Sequence, residues 1–506
     1  MHAVLLVTTL TETILSIKDE RTRFLHWIPT HRYELTRMLI KEIIMRTNVG
    51  SSKFKAIDLF AGPGGLSLGL TAAGFEVVAA VELDPDAGKT YRNNIGNHTE
   101  IQDITKFKPK TLHQKLIDSN VLKEDEKISL IAGGPPCPGF SLIGRSKISD
   151  LIKNKKGTYK NNKEWRHRFI DDPRNNLFLE FVKYVKQFKP DYFIMENVSG
   201  MTSYQIEDDP VVEVIKKKFT GYNVEERVLS AADFGVPQDR RRIIFLGSKK
   251  GLKKCEFPLP NLETKRLNAL DAIQDLIEVA PTRNGIAEVE YKNSNSKGAL
   301  FRKQMRDWIC HRPTGELIDG KSPHKTCHWT RKVNDRDKVI FPFIRSGSPS
   351  ISRGSIRFPH SNPKQIYGDI YPGQWSSVLV PSFKKAKLKT STVDERHYVE
   401  NRKGTKWVMY PSKNFKDKMR RIRWNEPAPT VVAHLAKDGY MFIHPFHDRT
   451  ITVREAARFQ SFPDSFEFSG SMTSQFRQVG NAVPPLLAKR LGEAVLESIK
   501  QNEKLT

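Results

Sequence analysis

Short, almost uninterrupted apolar runs recur along the first half of the chain: FKAIDLF (54–60), FEVVAAVELD (75–84), KISLIAGG (127–134), DYFIM (191–195) and RIIFLG (242–247). Each has the length of a strand, and the lack of polar alternation marks strands covered on both faces, as in a parallel sheet. Between them the period changes. LSLGLTAAG (66–74) and LFLEFVKYVKQF (177–188) carry apolar residues at helical spacing, and Gly74 supplies a stop to the first. Strand alternating with helix predicts an α/β fold with a doubly wound, mostly parallel sheet over about residues 50–250. After Gly247 the rhythm is lost in segments rich in Lys, Asn, Ser and Pro that carry Trp308, Trp329, Trp375 and Trp407. A second, smaller and irregular domain is expected there, to about Trp424. Helical patterning returns in VREAARFQSF from Val453 and in PPLLAKRLGEAVLESI, where Pro484 and Pro485 suit a first turn. The expected organisation is a helical extension over 1–50, the α/β domain over 51–250, the irregular domain over 251–424, and a segment over 425–506 that returns to the α/β domain.

Charge narrows the partners. Lys and Arg number 83 against 57 acidic residues, a formal net charge of +26, the footprint of a polyanion binder with nucleic acid as first candidate. An anionic membrane surface would give the same balance, but no apolar run approaches the ~18 residues of a spanning helix. The apolar start MHAVLLVTTLTETILSI lacks a basic leader and a small-residue cleavage site and is broken by Glu12, so it reads as part of the N-terminal extension. Four scattered cysteines make no disulfide framework and point to a reducing compartment. The basic stretch KNKKGTYKNNKEWRHR (153–168) reads as a solvated loop.

Candidate chemistry centres on GGPPCPGFS (133–141). Cys137 follows two prolines and precedes another just past a strand's carboxyl end, where open α/β sheets bind ligands. Prolines fix φ and remove donors, which favours a stiff loop presenting a thiol over a packed core cysteine. A second candidate is the glycine turn of DLFAGPGGLSLGL (58–70), with Glu82 at the end of the next strand, where an acid takes ribose hydroxyls in nucleotide-type folds. The turn matches neither GxGxxG nor GxxxxGK[ST], so an adenosyl ligand without a bound pyrophosphate fits better than a dinucleotide or a nucleoside triphosphate.

These segments continue in order with MENVSG (195–200), QDRRRIIFLG (238–247), REAARFQSFPDSF (454–466) and QVGNAVPP (478–485). Taken singly, Glu196 reads equally as a capping carboxylate, Arg240 and Arg242 as a solvated basic face, and Asn481 as a turn residue. As an ordered set they resemble the cytosine C5-specific DNA methyltransferases that use S-adenosyl-L-methionine, of the prokaryotic restriction-modification type. The resemblance covers the chain except the first fifty residues and the region from about 250 to 424. It implies the Rossmann-like fold of S-adenosylmethionine-dependent methyltransferases, with 251–424 as the target recognition domain. It further implies Cys137 as nucleophile, Glu196 as the acid toward ring N3, Arg242 at the base O2, and Arg240 beside them. Phe60, Gly62, Gly65, Glu82, Asp103, Leu177 and Asn481 would line the cofactor pocket, and no metal is implied. Asn197 belongs to the same ENV motif as Glu196.

The expected partner is double-stranded DNA, with the target cytosine flipped out of the stack. A companion restriction endonuclease, action as a monomer and a cytoplasmic, nucleoid-associated location follow from the same resemblance. The tRNA-methylating offshoot of the family keeps these motifs, but its recognition region is smaller than 251–424. A non-catalytic DNA-binding member would have no need of Cys137, Glu196, Arg240 and Arg242. The loop after Cys137 is longer than in compact members. Cys310, His311, His324, Cys327 and His328 cluster in sequence without a zinc-ligand spacing and read as ordinary packed or surface residues.

Overall fold

The computed structural model describes residues 54–137, 176–206, 209–260, 266–289, 296–308, 310–311, 317–318, 324–333, 341, 398–400, 406–408, 420–437 and 439–504. The extension expected over 1–50 and the basic stretch 153–168 lie outside these residues, as does much of 334–419. Phe54–Thr506 form one compact unit.

The apolar runs give rise to strands β1 (Lys55–Leu59), β2 (Glu76–Glu82), β4 (Leu130–Gly133), β5 (Tyr192–Val198) and β7 (Arg241–Lys249), and two strands outside those runs, β3 (Thr99–Ile101) and β6 (Tyr222–Ser230), join them. They form one 7-stranded sheet in the order β3-β2-β1-β4-β5-β7-β6. The first five named in that order are parallel, whereas β7 runs antiparallel to both β5 and β6. A short turn, Ala231–Phe234, is all that lies between β6 and the approach to β7, too little for a parallel crossover. The helices α1 (Gly65–Ala73), α2 (Pro85–Asn94), α3 (Pro109–Asp118), α4 (Leu177–Phe188) and α5 (Val211–Lys218) connect the strands. Gly74 ends α1 at φ 110°, a left-handed cap that only glycine adopts without strain.

Both faces of the sheet are buried, which is why its central strands read as continuous apolar runs. Leu130, Ala132, Ile194 and Ile244 belong to one core; Ile131, Phe193, Met195 and Ile243 belong to the other, with Phe181 and Val185 of α4. The first core is completed from the far end of the chain by α8 (Val453–Phe459), α9 (Met472–Asn481) and α10 (Pro485–Glu503), the segments in which helical patterning returned; between α5 and α8 come α6 (Ala269–Ile273) and α7 (Lys297–Asp307). Glycines let α10 lie close on α1: a Cβ at Gly69 would stand 2.4 Å from the Ala488 Cβ. Ala269, Ile273, Phe301 and Met305 enter the same core, and charged anchors join them to α8. Arg458 binds Asp464 and Asp275 while Arg454 donates to the carbonyls of Pro463 and Phe466, with both arginines fully buried. Cys310 accepts from the Ser465 hydroxyl, Cys327 is buried in the same core, and His328 is buried with Nε2 3.1 Å from the Val279 carbonyl oxygen.

Candidate active site

The strand order reverses between β1 and β4: β2 continues the sheet on one side and β5 on the other. A crevice opens at the carboxyl ends of strands at such a switch point. On one side of it stands the β1–α1 turn. Phe60 has φ 59°, unusual for a residue with a side chain, followed by Gly62 at φ 57° and Gly64 at φ 101°. Gly62 donates its N–H to Glu82 Oε2 at 2.7 Å, and Asp84 N–H reaches Glu82 Oε1 at 2.8 Å. Burial raises the pKa of Glu82. Each of its oxygens keeps a lone pair for a further donor. A Cβ on Gly62 would meet nothing within 4 Å, so the turn faces open space. Gly65 is instead pressed on the C-terminal segment, where a Cβ would lie 2.3 Å from the Val483 carbonyl oxygen. Asn481, exposed at the end of α9, stands two residues before the Val483 against which Gly65 is pressed.

Asp103 lies beyond β3, its Oδ1 accepting from the Thr105 hydroxyl at 2.7 Å and the Thr105 N–H at 3.0 Å. Those hydrogen bonds lower its pKa. Leu177 starts α4, and both it and Phe60 pack against the core that contains Cys137. A residue the sequence reading passed over supports the turn from below. Asp58 is fully buried in β1 and its Oδ2 accepts from the Ser67 N–H and hydroxyl. The Tyr91 hydroxyl donates to Ser67 Oγ at 2.9 Å and lies 2.9 Å from His98 Nε2. Burial pushes Asp58 up to about 7 and His98 down to about 4. An acid inside the apolar run KAIDL was the available signal.

Across the crevice, Cys137 stands four residues past β4, buried, on the Pro135–Pro136 loop. Asn197 Nδ2 donates to Cys137 Sγ at 3.3 Å and to the Pro135 carbonyl at 3.1 Å. Successive residues of a strand face opposite ways, so Glu196 points to the other face of β5. There Arg242, diagonal to it on β7, places Nε 2.7 Å from Glu196 Oε1. Both side chains are largely buried, and the Glu196 carboxylate passes 3.2 Å from where a Gly134 Cβ would stand. The thiol does not rest as an anion. Burial, with Glu196 nearby, raises its pKa to about 11 against the help of the Asn197 amide.

Cys137, Asn197, Glu196 and Arg242 are thus brought together; Arg240 is close enough to feel the charges of Arg242 and Glu196 but places its hydrogen bonds elsewhere. Its guanidinium is buried and donates to the carbonyls of Val431 at 2.9 Å and Gly480 at 3.3 Å. It braces the turn before Asn481 instead of facing the thiol.

Residues 54–497 match the family described as C-5 cytosine-specific DNA methylase, and the chain belongs to that family of enzymes. Among its relatives, the type II methyltransferase M.XorII of Xanthomonas oryzae pv. oryzae is 32% identical over 454 residues, covering 88% of this chain and 85% of the relative. M.DdeI of Desulfomicrobium norvegicum, also a type II methyltransferase, is 31% identical over 455 residues, 87% of this chain and 88% of the relative. The fold is shared with a solved structure described as a DNA modification methyltransferase encoded within an E. coli prophage. That pair gives a TM-score of 0.57 at 23% identity over 88% of this chain and 99% of the other.

Proposed function

We propose that this enzyme transfers a methyl group from S-adenosyl-L-methionine to C5 of a flipped-out cytosine in a specific duplex DNA sequence, through a covalent bond between Cys137 and C6. The observation that carries the reading is the grouping of Cys137, Asn197, Glu196 and Arg242 opposite an open glycine turn at one switch point. Open space above Gly62, with the Glu82 carboxylate beneath it, fits an adenosyl ligand whose ribose hydroxyls donate to Glu82. Phe60, Gly65, Asp103, Leu177 and Asn481 would complete that pocket. The bound cofactor supplies an electrophilic methyl group on a sulfonium.

C5 of cytosine is a weak nucleophile, and addition of a thiolate at C6 turns the ring into an enamine that attacks through C5. The Asn197 amide holds Sγ in place and stabilises the anion. Glu196 shares a proton with ring N3, so that negative charge does not build up on the base. Arg242 orients Glu196 and offers its remaining donors to O2. Burial holds the Cys137 thiol up at about 11 in the free enzyme, so Sγ gives its proton to solvent as it adds to C6. Water takes the proton from C5, the C5–C6 double bond re-forms as the C6–S bond breaks, and the expelled Cys137 thiolate leaves the methylated base free.

The surplus of basic residues matches a duplex partner, whose phosphates give a steep salt dependence. The type II relatives support a role as the modification enzyme of a restriction-modification system, protecting DNA from a companion endonuclease in the cytoplasm. Residues 51–250 with 425–506 would form the catalytic body, and 251–424 the target recognition domain. Labelled methyl transfer to duplex DNA and to tRNA, followed by single-base mapping of the product, tests the reading. Label at C5 of one cytosine within a fixed duplex sequence is expected; label in tRNA alone overturns it.

A further inference from the structure

The peptide units flanking Asn481 are fixed by two buried side chains. Gln460 Nε2 donates to the Val479 carbonyl at 2.7 Å and the Ala482 carbonyl at 3.4 Å. Arg240 holds the Gly480 carbonyl between them. Gly480 itself tolerates no side chain, since a Cβ would lie 2.2 Å from the Ala433 nitrogen. The Gln460 amide is used at both ends. Its Oε1 accepts from Gln238 Nε2 at 3.1 Å; Gln238 Nε2 also donates to the Phe459 carbonyl at 3.0 Å, and Gln238 Oε1 accepts the Val431 N–H at 2.7 Å. Both glutamines are fully buried.

An unbroken hydrogen-bond path therefore runs from Val431 through Gln238 and Gln460 to the two carbonyls that straddle Asn481. It joins segments far apart in sequence: the approach to the strand bearing Arg242, the chain leaving the 251–424 region, the end of α8 and the end of α9. Ala428–Pro429 lie parallel beside Gln238–Asp239, which fixes that exit against the approach to β7. A core that needed only volume here would be served by leucine or methionine, and buried amides with every donor used specify one arrangement.

We propose that Gln460 is a positioning residue for methyl transfer: it sets the turn that presents Asn481 to the cofactor and, through Gln238, ties that turn to the segment leaving the recognition region. The proposal rests on the reading of Asn481 as a cofactor contact. Gln460→Met keeps length and volume but donates nothing. Its dissociation constant for S-adenosylmethionine, by calorimetry, is expected to rise about tenfold. KM for the cofactor should rise in parallel, while kcat at saturation changes less than about twofold. In an Asn481→Ala background the same substitution should change the constant by less than about twofold, because the effect acts through Asn481.

If Asn481→Ala alone leaves the constant unchanged, the cofactor reading of Asn481 falls and the proposal with it. If Asn481→Ala weakens binding but Gln460→Met does not, or the two effects simply add, the positioning role alone is overturned. Should Gln460→Met not fold, hydrogen exchange on the unaltered enzyme decides. Added S-adenosylmethionine should slow exchange of the Val431 amide and leave that of Lys216 in α5 unchanged, and equal rates at Val431 with and without it overturn the proposal.

Discussion

The two sides of the crevice are built from different materials. The side proposed for the cofactor is backbone: Phe60, Gly62 and Gly64 all at positive φ, with the Glu82 carboxylate drawing the turn together through N–H groups. The side proposed for the base is side chains in locked pairs, Asn197 on Cys137 and Arg242 on Glu196, with a loop stiffened by Pro135 and Pro136. The first recognises by shape, so its failures should be steric. The second works by moving charge and protons, so its failures should be chemical and leave cofactor affinity alone.

The largest test of that contrast is Cys137→Ser. Transfer should fall on the order of 10³-fold or more, while cofactor affinity by calorimetry changes less than about twofold. Glu196→Gln keeps the shape but cannot trade a proton with N3, and kcat should drop about 10²-fold with the cofactor KM unmoved. A Glu196→Gln enzyme whose cofactor KM rises instead would blur the division between the sides. Gly65→Ala probes the other material. With a backbone oxygen 2.3 Å from the new Cβ, urea denaturation should register a loss of about 1–3 kcal/mol, together with a raised cofactor KM.

The last expected effect is small at each step of pH and is read as a slope. Asp58, raised by burial to about 7, stays protonated in the native state over a range where the unfolded carboxyl, near about 3.9, has lost its proton. The stability this contributes is complete below about pH 4 and is lost as pH rises toward 7. His98 and His444, lowered by burial to about 4 and about 3, act with the opposite sign, opposing folding as pH falls below about 6.5. Comparison of Asp58→Asn with the unaltered chain cancels them. The variant should gain on the parent by roughly 1 kcal/mol per pH unit between pH 4 and 7. Parallel stability curves would mean that Asp58 does not carry its proton there.

Much of this was legible because buried strands announce themselves: β1, β2 and β4 fall within the apolar runs, and β5 and β7 each contain most or all of one. The helix ends at Gly74 and Pro485 were equally plain, since each rests on a local backbone requirement. The edge strand β6 was not read, because YNVEERVLS is charged and half exposed, as suits an edge that must not pair with another chain. Nor does sequence reveal that β7 inserts antiparallel beside β5, a choice set by nonlocal pairing. Within the site, the ordered motifs named the residues that meet at the thiol. They also grouped Arg240 with Arg242, although the two arginines of one motif do different work: Arg242 pairs with Glu196, and Arg240 braces carbonyls at residues 431 and 480.

The central claim is the transient bond between Cys137 and the target base. A duplex carrying 5-fluorocytosine at the mapped target site, incubated with enzyme and S-adenosylmethionine, should arrest the reaction after methylation, because the fluorine cannot leave as a proton does. Denaturing electrophoresis and peptide mass analysis should then recover a DNA adduct through residue 137, absent from Cys137→Ser. Recovery of no adduct, or of one through another residue, would contradict the account.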